Sequence, residues 1–142
     1  MVLAEHEKNS SKGLVEFRNC IAEDTTYAGV LVRLKTATSI KVKFSNCKWQ
    51  NVARRRSTIP IHLTLKRKKF ITQTEGVEFN NCYVYDQKKR SFLWITDLDD
   101  RSGVHDIKGE ITIYNPYGAR IDSRISKEKL GLKINSLIPK HK

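Results

Sequence analysis

One six-residue phrase occurs three times in this chain and strongly limits the folds that the chain can adopt. The copies read VEFRNC, VKFSNC and VEFNNC and end at the three cysteines of the 142-residue sequence, Cys20, Cys47 and Cys82. In each copy Val and Phe alternate before the asparagine, and the apolar residues after it occupy the opposite parity. Because a strand keeps one face inward with a period of two, this change of parity predicts a corner at the asparagine.

A fourth, degenerate copy extends the repeat. The phrase ITIYNP places Ile111 and Ile113 where Val and Phe stand in the other copies, and it places Asn115 at the corner. The spacings are 27, 35 and 34 residues between the four asparagines, Asn19, Asn46, Asn81 and Asn115. A second apolar alternation follows each corner, at residues 30–34, 61–65, 93–95 and 130–134. This period predicts a solenoid in which each repeat forms one turn.

Two other fold classes compete with the solenoid. Helices do not fit, because the segments are short, rich in Val, Ile, Phe and Thr, and alternate with period two. A β-sandwich is the serious alternative, since it also has many short strands. A sandwich does not explain why one corner recurs with the same side-chain roles, whereas a stacked coil places each motif residue above its counterpart.

The phrase G-[LV]-x-F-x-N-C, the asparagine corners and the period resemble the right-handed parallel β-helix of the pectate-lyase-like superfamily. The resemblance covers residues 13–135 and implies an all-β, right-handed parallel β-helix (solenoid) of about four coils. It implies an asparagine ladder at Asn19, Asn46, Asn81 and Asn115, and an inward stack of Cys20, Cys47 and Cys82. Residues 1–12 are expected to form an N-terminal arm, and residues 136–142 a basic C-terminal tail. Open ends of a short stack predict a homo-oligomer or further coils of a longer protein.

The resemblance implies no catalytic residue in recognisable form. Lyase sites of that superfamily use Arg, Lys and calcium-binding acids, and polygalacturonase-like sites use clustered aspartates; we find neither signature. The weak candidates lie in TDLDDRSGVHD and are Asp97, Asp99, Asp100 and His105. The clustered carboxylates of the aspartates suit a calcium site, and the aspartates and the histidine suit a general acid and base. A polar surface turn is the commoner explanation. We expect no cofactor and no metal, because the cysteines match no zinc spacing and buried thiols are common small apolar fillers.

The positive charge of the chain is concentrated in particular loops. The sequence has 27 Lys and Arg against 15 Asp and Glu, a net charge of +12, which favours an anionic partner. Two runs, Arg54–Arg56 and Lys88–Arg90, follow Cys47 and Cys82 at similar distances and therefore occupy the same loop of successive repeats. Stacked in this way, the arginines suit carboxylate, sulfate or phosphate groups.

The outward face next to these loops adds an aromatic surface. If Ile61, Leu63, Leu93 and Ile95 point inward, then His62 and Trp94 point outward, and Arg33 lies on the same face of the preceding repeat. Outward aromatic rings on such a face suit stacking on sugar rings. The alternative is that the long basic loop or a partner covers Trp94.

These features predict a β-helix domain that binds an acidic, uronate or sulfated, polysaccharide and that is a candidate segment of a polysaccharide lyase or glycoside hydrolase. The alternatives are a self-assembling structural module, such as a stalk, tailspike or filament, and a nucleic-acid-binding protein, whose usual aromatic motifs are not found here. No run approaches the roughly 20 apolar residues of a membrane span. The first residues carry no secretory signal. We expect a cytoplasmic protein, or an extracellular or periplasmic one if the chain is part of a longer secreted protein.

Overall fold

A computed structural model describes residues 2–6, 12–35, 39–66, 76–96, 107–122 and 130–138, and within these ranges the protein is all-β. The strands are β1 (Val2–His6), β2 (Lys12–Arg18), β3 (Ile21–Glu23), β4 (Val30–Lys35), β5 (Ser39–Ser45), β6 (Lys48–Gln50), β7 (Ile61–Lys66), β8 (Gly76–Tyr85), β9 (Leu93–Thr96), β10 (Ile107–Tyr114), β11 (Ile121–Asp122) and β12 (Gly131–Leu137). None of the described residues belongs to a helix long and apolar enough to cross a membrane.

The described strands form two sheets in which every paired neighbour is parallel. The five-stranded sheet has the order β1-β4-β7-β9-β11, and the seven-stranded sheet has the order β12-β10-β8-β5-β2, with β3 paired to β6 and β6 to β8. The chain therefore passes from one sheet to the other and adds its next strand beside the previous one. The predicted all-β class and parallel stacking are confirmed, and the arrangement fits a β-helix or solenoid.

Inward side chains of successive strands form ladders that make the core. Phe44 pairs in register with Phe17 and Phe79. Its ring stacks on both neighbours with centroid separations of 5.3 Å. In the five-stranded sheet the equivalent, fully buried ladder contains Val30, Ile61 and Leu93. Alternate side chains of both sheets thus fill one interior, as the period of two predicts.

Three asparagines occupy a backbone conformation that turns the strand. Asn19, Asn46 and Asn81 have φ angles of 54°, 54° and 52°, in the left-handed region that Asn tolerates better than most residues. The Asn81 side-chain amide donates to Oδ1 of Asn46 at 2.8 Å. Phe44 before the corner and Cys47 after it are both fully buried, so the turn changes the parity and keeps the apolar side chains inside.

The cysteines after these corners differ in exposure. Cys47 and Cys82 are buried, whereas Cys20 is exposed. Cys20 is exposed because it precedes β3 at the open edge of the sheet, but its thiol still interacts with that of Cys47, as the Cys47 thiol does with that of Cys82. Burial raises the pKa of the Cys47 thiol, and it raises the pKa of Cys82 to about 11. Neutral thiols of this kind act as small apolar fillers.

The predicted corner at Asn115 is corrected by the strand register. Ile111 pairs with Cys82 and Ile113 with Val84, so Ile111 occupies the cysteine position and not the valine position of the motif. The register shifts between Gly109 and Ile111, which leaves the single residue Glu110 opposite two residues of β8. The fourth repeat therefore lacks the extra corner residue, and the Ile-x-Ile-x-Asn pattern belongs to the strand segment after the corner.

Asn115 instead belongs to a second row of polar residues, here called the second polar corner, which consists of Asp24, Asn51, Asp86 and Asn115. These residues stand where the chain leaves the seven-stranded sheet. The backbone N–H of Asn115 donates to Leu137 O, and the N–H of Asp86 donates to Tyr114 O. Equivalent bonds join Asp24 to Gln50 and Asn51 to Tyr85. The sequence grouped the apolar alternation at 130–134 with those at 30–34, 61–65 and 93–95. In the structure this segment instead lies in β12, which pairs with β10 in the seven-stranded sheet. The strand that pairs with β9 in the five-stranded sheet is β11.

The ends of the described chain also carry strands. Residues 2–6, which the sequence assigned to an N-terminal arm, form β1, and β1 pairs with β4 from Val2–Val30 to His6–Leu34. At the other end, β12 reaches Leu137, within the expected basic tail. Residues 139–142 of that tail lie outside the described residues.

Candidate functional site

The two predicted basic loops lie against each other. Backbone N–H groups of Arg54 and Arg55 donate to the carbonyls of Thr25 and Thr26 at 2.9 Å, which fixes the first loop on the repeat before it. Lys88 Nζ in the second loop donates to Arg54 O at 2.7 Å. All six predicted cations line one groove of about 430 Å³, here called the basic groove, whose lining is Arg54, Arg55, Arg56, Ser57, Thr58, Ile59, Lys88, Lys89 and Arg90.

Arg90 differs from the other cations because its guanidinium is used within the fold. It pairs with Asp86 through Nε–Oδ2 at 2.8 Å and Nη2–Oδ1 at 3.0 Å. It also donates to the carbonyls of Val52 at 2.8 Å and Thr58 at 2.9 Å. Only 13% of its side chain is exposed. Arg90 therefore holds the first loop to the second, whereas the other five cations of the groove are exposed.

Two buried polar residues hold the second loop: Asp86, which the sequence did not single out, and Asn115, which the sequence assigned to a different corner. Asp86 is 5% exposed and Asn115 is 1% exposed. Asp86 Oδ1 accepts the Lys88 N–H at 3.3 Å, and Asn115 Nδ2 donates to Lys88 O at 2.9 Å. Both residues stand at the second polar corner, so this corner fixes the backbone that carries Lys88 and Lys89. The only sequence signal of Asp86 is a polar residue directly after an alternating apolar strand.

Arg55 is oriented by an aromatic side chain of the preceding repeat. Its Nη1 donates to the hydroxyl of Tyr27 at 2.7 Å, and its guanidinium carbon lies 5.4 Å from the centroid of the Tyr27 ring. Arg54, Arg55 and Arg56 are all exposed. The groove thus presents charges on a loop whose backbone is fixed, which lowers the entropy lost when an anion binds.

The predicted aromatic surface lies on the outer face of the five-stranded sheet. His62 and Trp94 are register neighbours on β7 and β9, and their rings stack with centroids 4.3 Å apart and an interplanar angle of 11°. Trp94 is 41% exposed. A pocket of about 340 Å³, here called the tryptophan pocket, is lined by Tyr27, Ala28, Leu31, Ser57, Thr58, Ile59, His62 and Trp94. This pocket shares Ser57, Thr58 and Ile59 with the basic groove, so the two adjoin.

Arg33 and His62 interact electrostatically at the side of the pocket. Arg33 is in register with Thr64, next to His62 on β7. Burial and the charge of Arg33 both lower the pKa of His62. The imidazole is therefore neutral near pH 7, and its Nε2 lies 3.3 Å from the hydroxyl of Thr96. Arg33 stands beside the residues that line the pocket and is not one of them.

The weak catalytic candidates, Asp97, Asp99, Asp100 and His105, lie outside the described residues, and so does the calcium site considered for that loop. Within the described part of the chain, no group of three or more His, Cys, Asp and Glu side chains is arranged to hold a metal ion.

No protein-family model, no curated protein and no solved structure matches this chain. The resemblance to the pectate-lyase-like superfamily therefore stays a prediction from the residues.

Proposed function

We propose that this chain is a short right-handed parallel β-helix of about four coils and that it binds an acidic polysaccharide across the basic groove and the tryptophan pocket. The observation that carries the binding proposal is the adjacency of the two surfaces. Five loop cations border a groove that continues, through Ser57 and Thr58, into a pocket with an exposed indole. The handedness rests on the resemblance to the pectate-lyase-like superfamily, and the coil number rests on that resemblance and on the alternation of the chain between two parallel sheets.

The chemistry of the two surfaces favours a charged glycan among anionic polymers. Guanidinium groups match the planar geometry of carboxylate and the oxygen spacing of sulfate. An exposed tryptophan offers a flat apolar surface on which the C–H face of a sugar ring can pack, while its rim stays wet. The repeated charges of a uronate or sulfated chain can meet several loop cations at once, so weak individual contacts add.

Replacement of two groove arginines tests the proposal. The variant R54S/R56S removes exposed charges and leaves Arg55, which contacts Tyr27, in place. We expect a five- to tenfold loss of affinity for alginate or heparin at low ionic strength, since exposed ion pairs contribute about 0.2–1 kcal/mol each. The melting temperature should change little, because neither side chain is buried. Isothermal titration calorimetry measures the affinity.

A matched control separates a specific site from general charge attraction. The variant R18S/K133S removes the same charge from two exposed positions on β2 and β12, away from the groove lining. It should bind alginate and heparin with nearly the parental affinity. In addition, Trp94→Ala should weaken binding by a factor that does not depend on salt, because ring packing is not screened. Equal losses in R54S/R56S and R18S/K133S would reject a localised site.

A further inference from the structure

A second aromatic surface lies on the seven-stranded sheet, on the other side of the basic groove. Tyr85 and Tyr114 are register neighbours on β8 and β10. Their rings stack with centroids 4.4 Å apart and an interplanar angle of 1°. Each tyrosine alternates with a buried residue, Val84 or Ile113, so each faces away from the core. A groove of about 590 Å³, here called the tyrosine groove, is lined by Asp24, Gln50, Asn51, Tyr85, Asp86, Gln87, Lys88, Tyr114 and Pro116.

The lining of the tyrosine groove is polar and carries both signs of charge: it contains Asp24, Asp86 and Lys88, and Lys48 Nζ lies 5.6 Å from the centroid of the Tyr85 ring. Asp24 and Asn51 are exposed, and the Asn51 amide donates to Asp24 Oδ1 at 2.6 Å. The charge of Asp86 is balanced by Arg90, and Lys88 stands at the border of the groove. Carboxylate, amide and phenol groups are hydrogen-bonding partners for hydroxyl groups. An anionic ligand group placed here would instead meet the carboxylate of Asp24 without an adjacent arginine.

Three surfaces are continuous along one side of the molecule. Lys88 lines both the tyrosine groove and the basic groove, and Ser57, Thr58 and Ile59 line both the basic groove and the tryptophan pocket. The loops of the basic groove connect the seven-stranded sheet to the five-stranded sheet, after β6 and after β8. A polymer that occupies all three surfaces therefore follows the direction of the chain within one repeat, from the tyrosines past the cations to Trp94, and does not run along the stack.

We infer that the tyrosine groove binds an uncharged, hydroxyl-rich sugar unit of the polysaccharide whose charged units occupy the basic groove. This inference rests on the proposed function and specifies its ligand: a heteropolysaccharide with neutral units beside charged ones. A uniform polyuronate would place a carboxylate next to Asp24, which like-charge repulsion disfavours. An alternating polymer places its charged units on Arg54 and Arg56 and a neutral unit against Tyr85 and Tyr114.

Two probes with the same number of carboxylates test the inference: an oligosaccharide of hyaluronan, in which glucuronate alternates with a neutral amino sugar, and an oligogalacturonate, in which every unit is charged. The parent should bind the hyaluronan probe about tenfold more tightly. Tyr114→Ala should remove most of that preference and leave the oligogalacturonate affinity unchanged. Asp24→Asn should raise the oligogalacturonate affinity, because it removes the repulsion from an exposed position. Calorimetric titration at low ionic strength measures the affinity of each protein for each probe.

Tyr117→Ala is the matched control, because Tyr117 is 52% exposed in the turn after β10 and does not line the groove. It should keep the parental preference for the hyaluronan probe over the oligogalacturonate. If Tyr114→Ala proves unstable in thermal melts, Asp24→Asn carries the test alone. This inference would be overturned if the parent and Asp24→Asn each bound both probes equally while R54S/R56S still bound them more weakly than the parent. The proposed function would then stand. No binding of either probe by the parent would reject both.

Discussion

At the scale of single residues, Arg90 shows that one cation of a basic run can have a different role from its neighbours. Its guanidinium donates to Asp86 and to carbonyls on the preceding loop, including Val52 O and Thr58 O. A charge this far removed from water is stable only when it is paired and its other donors are satisfied. Lysine has a point charge in place of the planar fork and cannot make the same set of bonds.

Arg90→Lys should therefore destabilise the protein although it keeps the charge. We expect a decrease of about 2 kcal/mol in the free energy of unfolding, because several charge-assisted hydrogen bonds are lost. The same change at the exposed Arg54, in Arg54→Lys, should leave the stability within about 0.5 kcal/mol of the parent. Urea denaturation followed by circular dichroism measures both values. Equal stabilities of the two variants would show that Arg90 does not hold the loops together.

This difference between the basic residues could not be predicted from the sequence. The runs at 54–56 and 88–90 predicted that the cations meet, and they do. The role of Arg90 depends on Asp86, whose side chain points into the fold at the second polar corner and is 5% exposed. Nothing in the local composition distinguishes Asp86 from any other polar residue that begins a loop.

At the scale of strands and corners, the parity of the apolar residues predicted three corners correctly. It failed at the fourth repeat, where the pairing of β10 with β8 is irregular. It located the left-handed residues Asn19, Asn46 and Asn81. It misplaced the fourth repeat, because Gly109 pairs with Phe79 there and one residue fewer follows before the cysteine position. The sequence pattern Ile-x-Ile-x-Asn reads the same on either side of such a bulge, so only the strand pairing distinguishes the two alignments.

Gly109 is the residue that makes this bulge feasible. Its φ is 100°, and a Cβ built on it would collide with the carbonyl oxygen of Phe79. Gly109→Ala should therefore lower the free energy of unfolding by more than about 3 kcal/mol, since both the backbone conformation and the strand pairing oppose it.

The appropriate control for Gly109→Ala is Gly118→Ala. Gly118 has a similar φ of 92°, but a Cβ there would meet nothing within 4 Å. Its substitution should cost only the backbone strain, about 1–2 kcal/mol. Thermal or urea unfolding compares the two variants. A smaller loss at Gly109 than at Gly118 would contradict the described pairing of β10 with β8.

At the scale of the whole molecule, the stack of parallel strands separates two kinds of surface. At one end, the inward-facing Val15 of the edge strand β2 is 43% exposed, whereas its register partner Val42 is fully buried. The sides carry the basic groove and the two aromatic surfaces. Exposed apolar ends are what the self-assembling alternative requires. An oligomer or further coils that cover these ends stay predictions from the sequence.

The same geometry explains why a short chain can present a long binding surface. Each repeat places its loop at the same position, so that loops distant in sequence, such as those that begin at Asn51 and Asp86, form one groove. The period of the repeat predicted this alignment. The sequence could not predict the tyrosine groove, because Tyr85 and Tyr114 become neighbours only through the corrected register of β10.

The affinity of the parent protein for a panel of polymers, measured at two ionic strengths, tests whether this protein binds acidic polysaccharides. The panel contains hyaluronan, alginate, heparin, neutral dextran and a single-stranded oligonucleotide of comparable charge. We predict binding to the acidic glycans at an ionic strength of about 0.02 M and clearly weaker binding at about 0.15 M, where the screening length falls to about 8 Å. Dextran should not bind, and the oligonucleotide should bind more weakly than hyaluronan. The proposed polysaccharide binding is contradicted if no acidic glycan binds at the lower ionic strength, or if the oligonucleotide binds more tightly than every glycan.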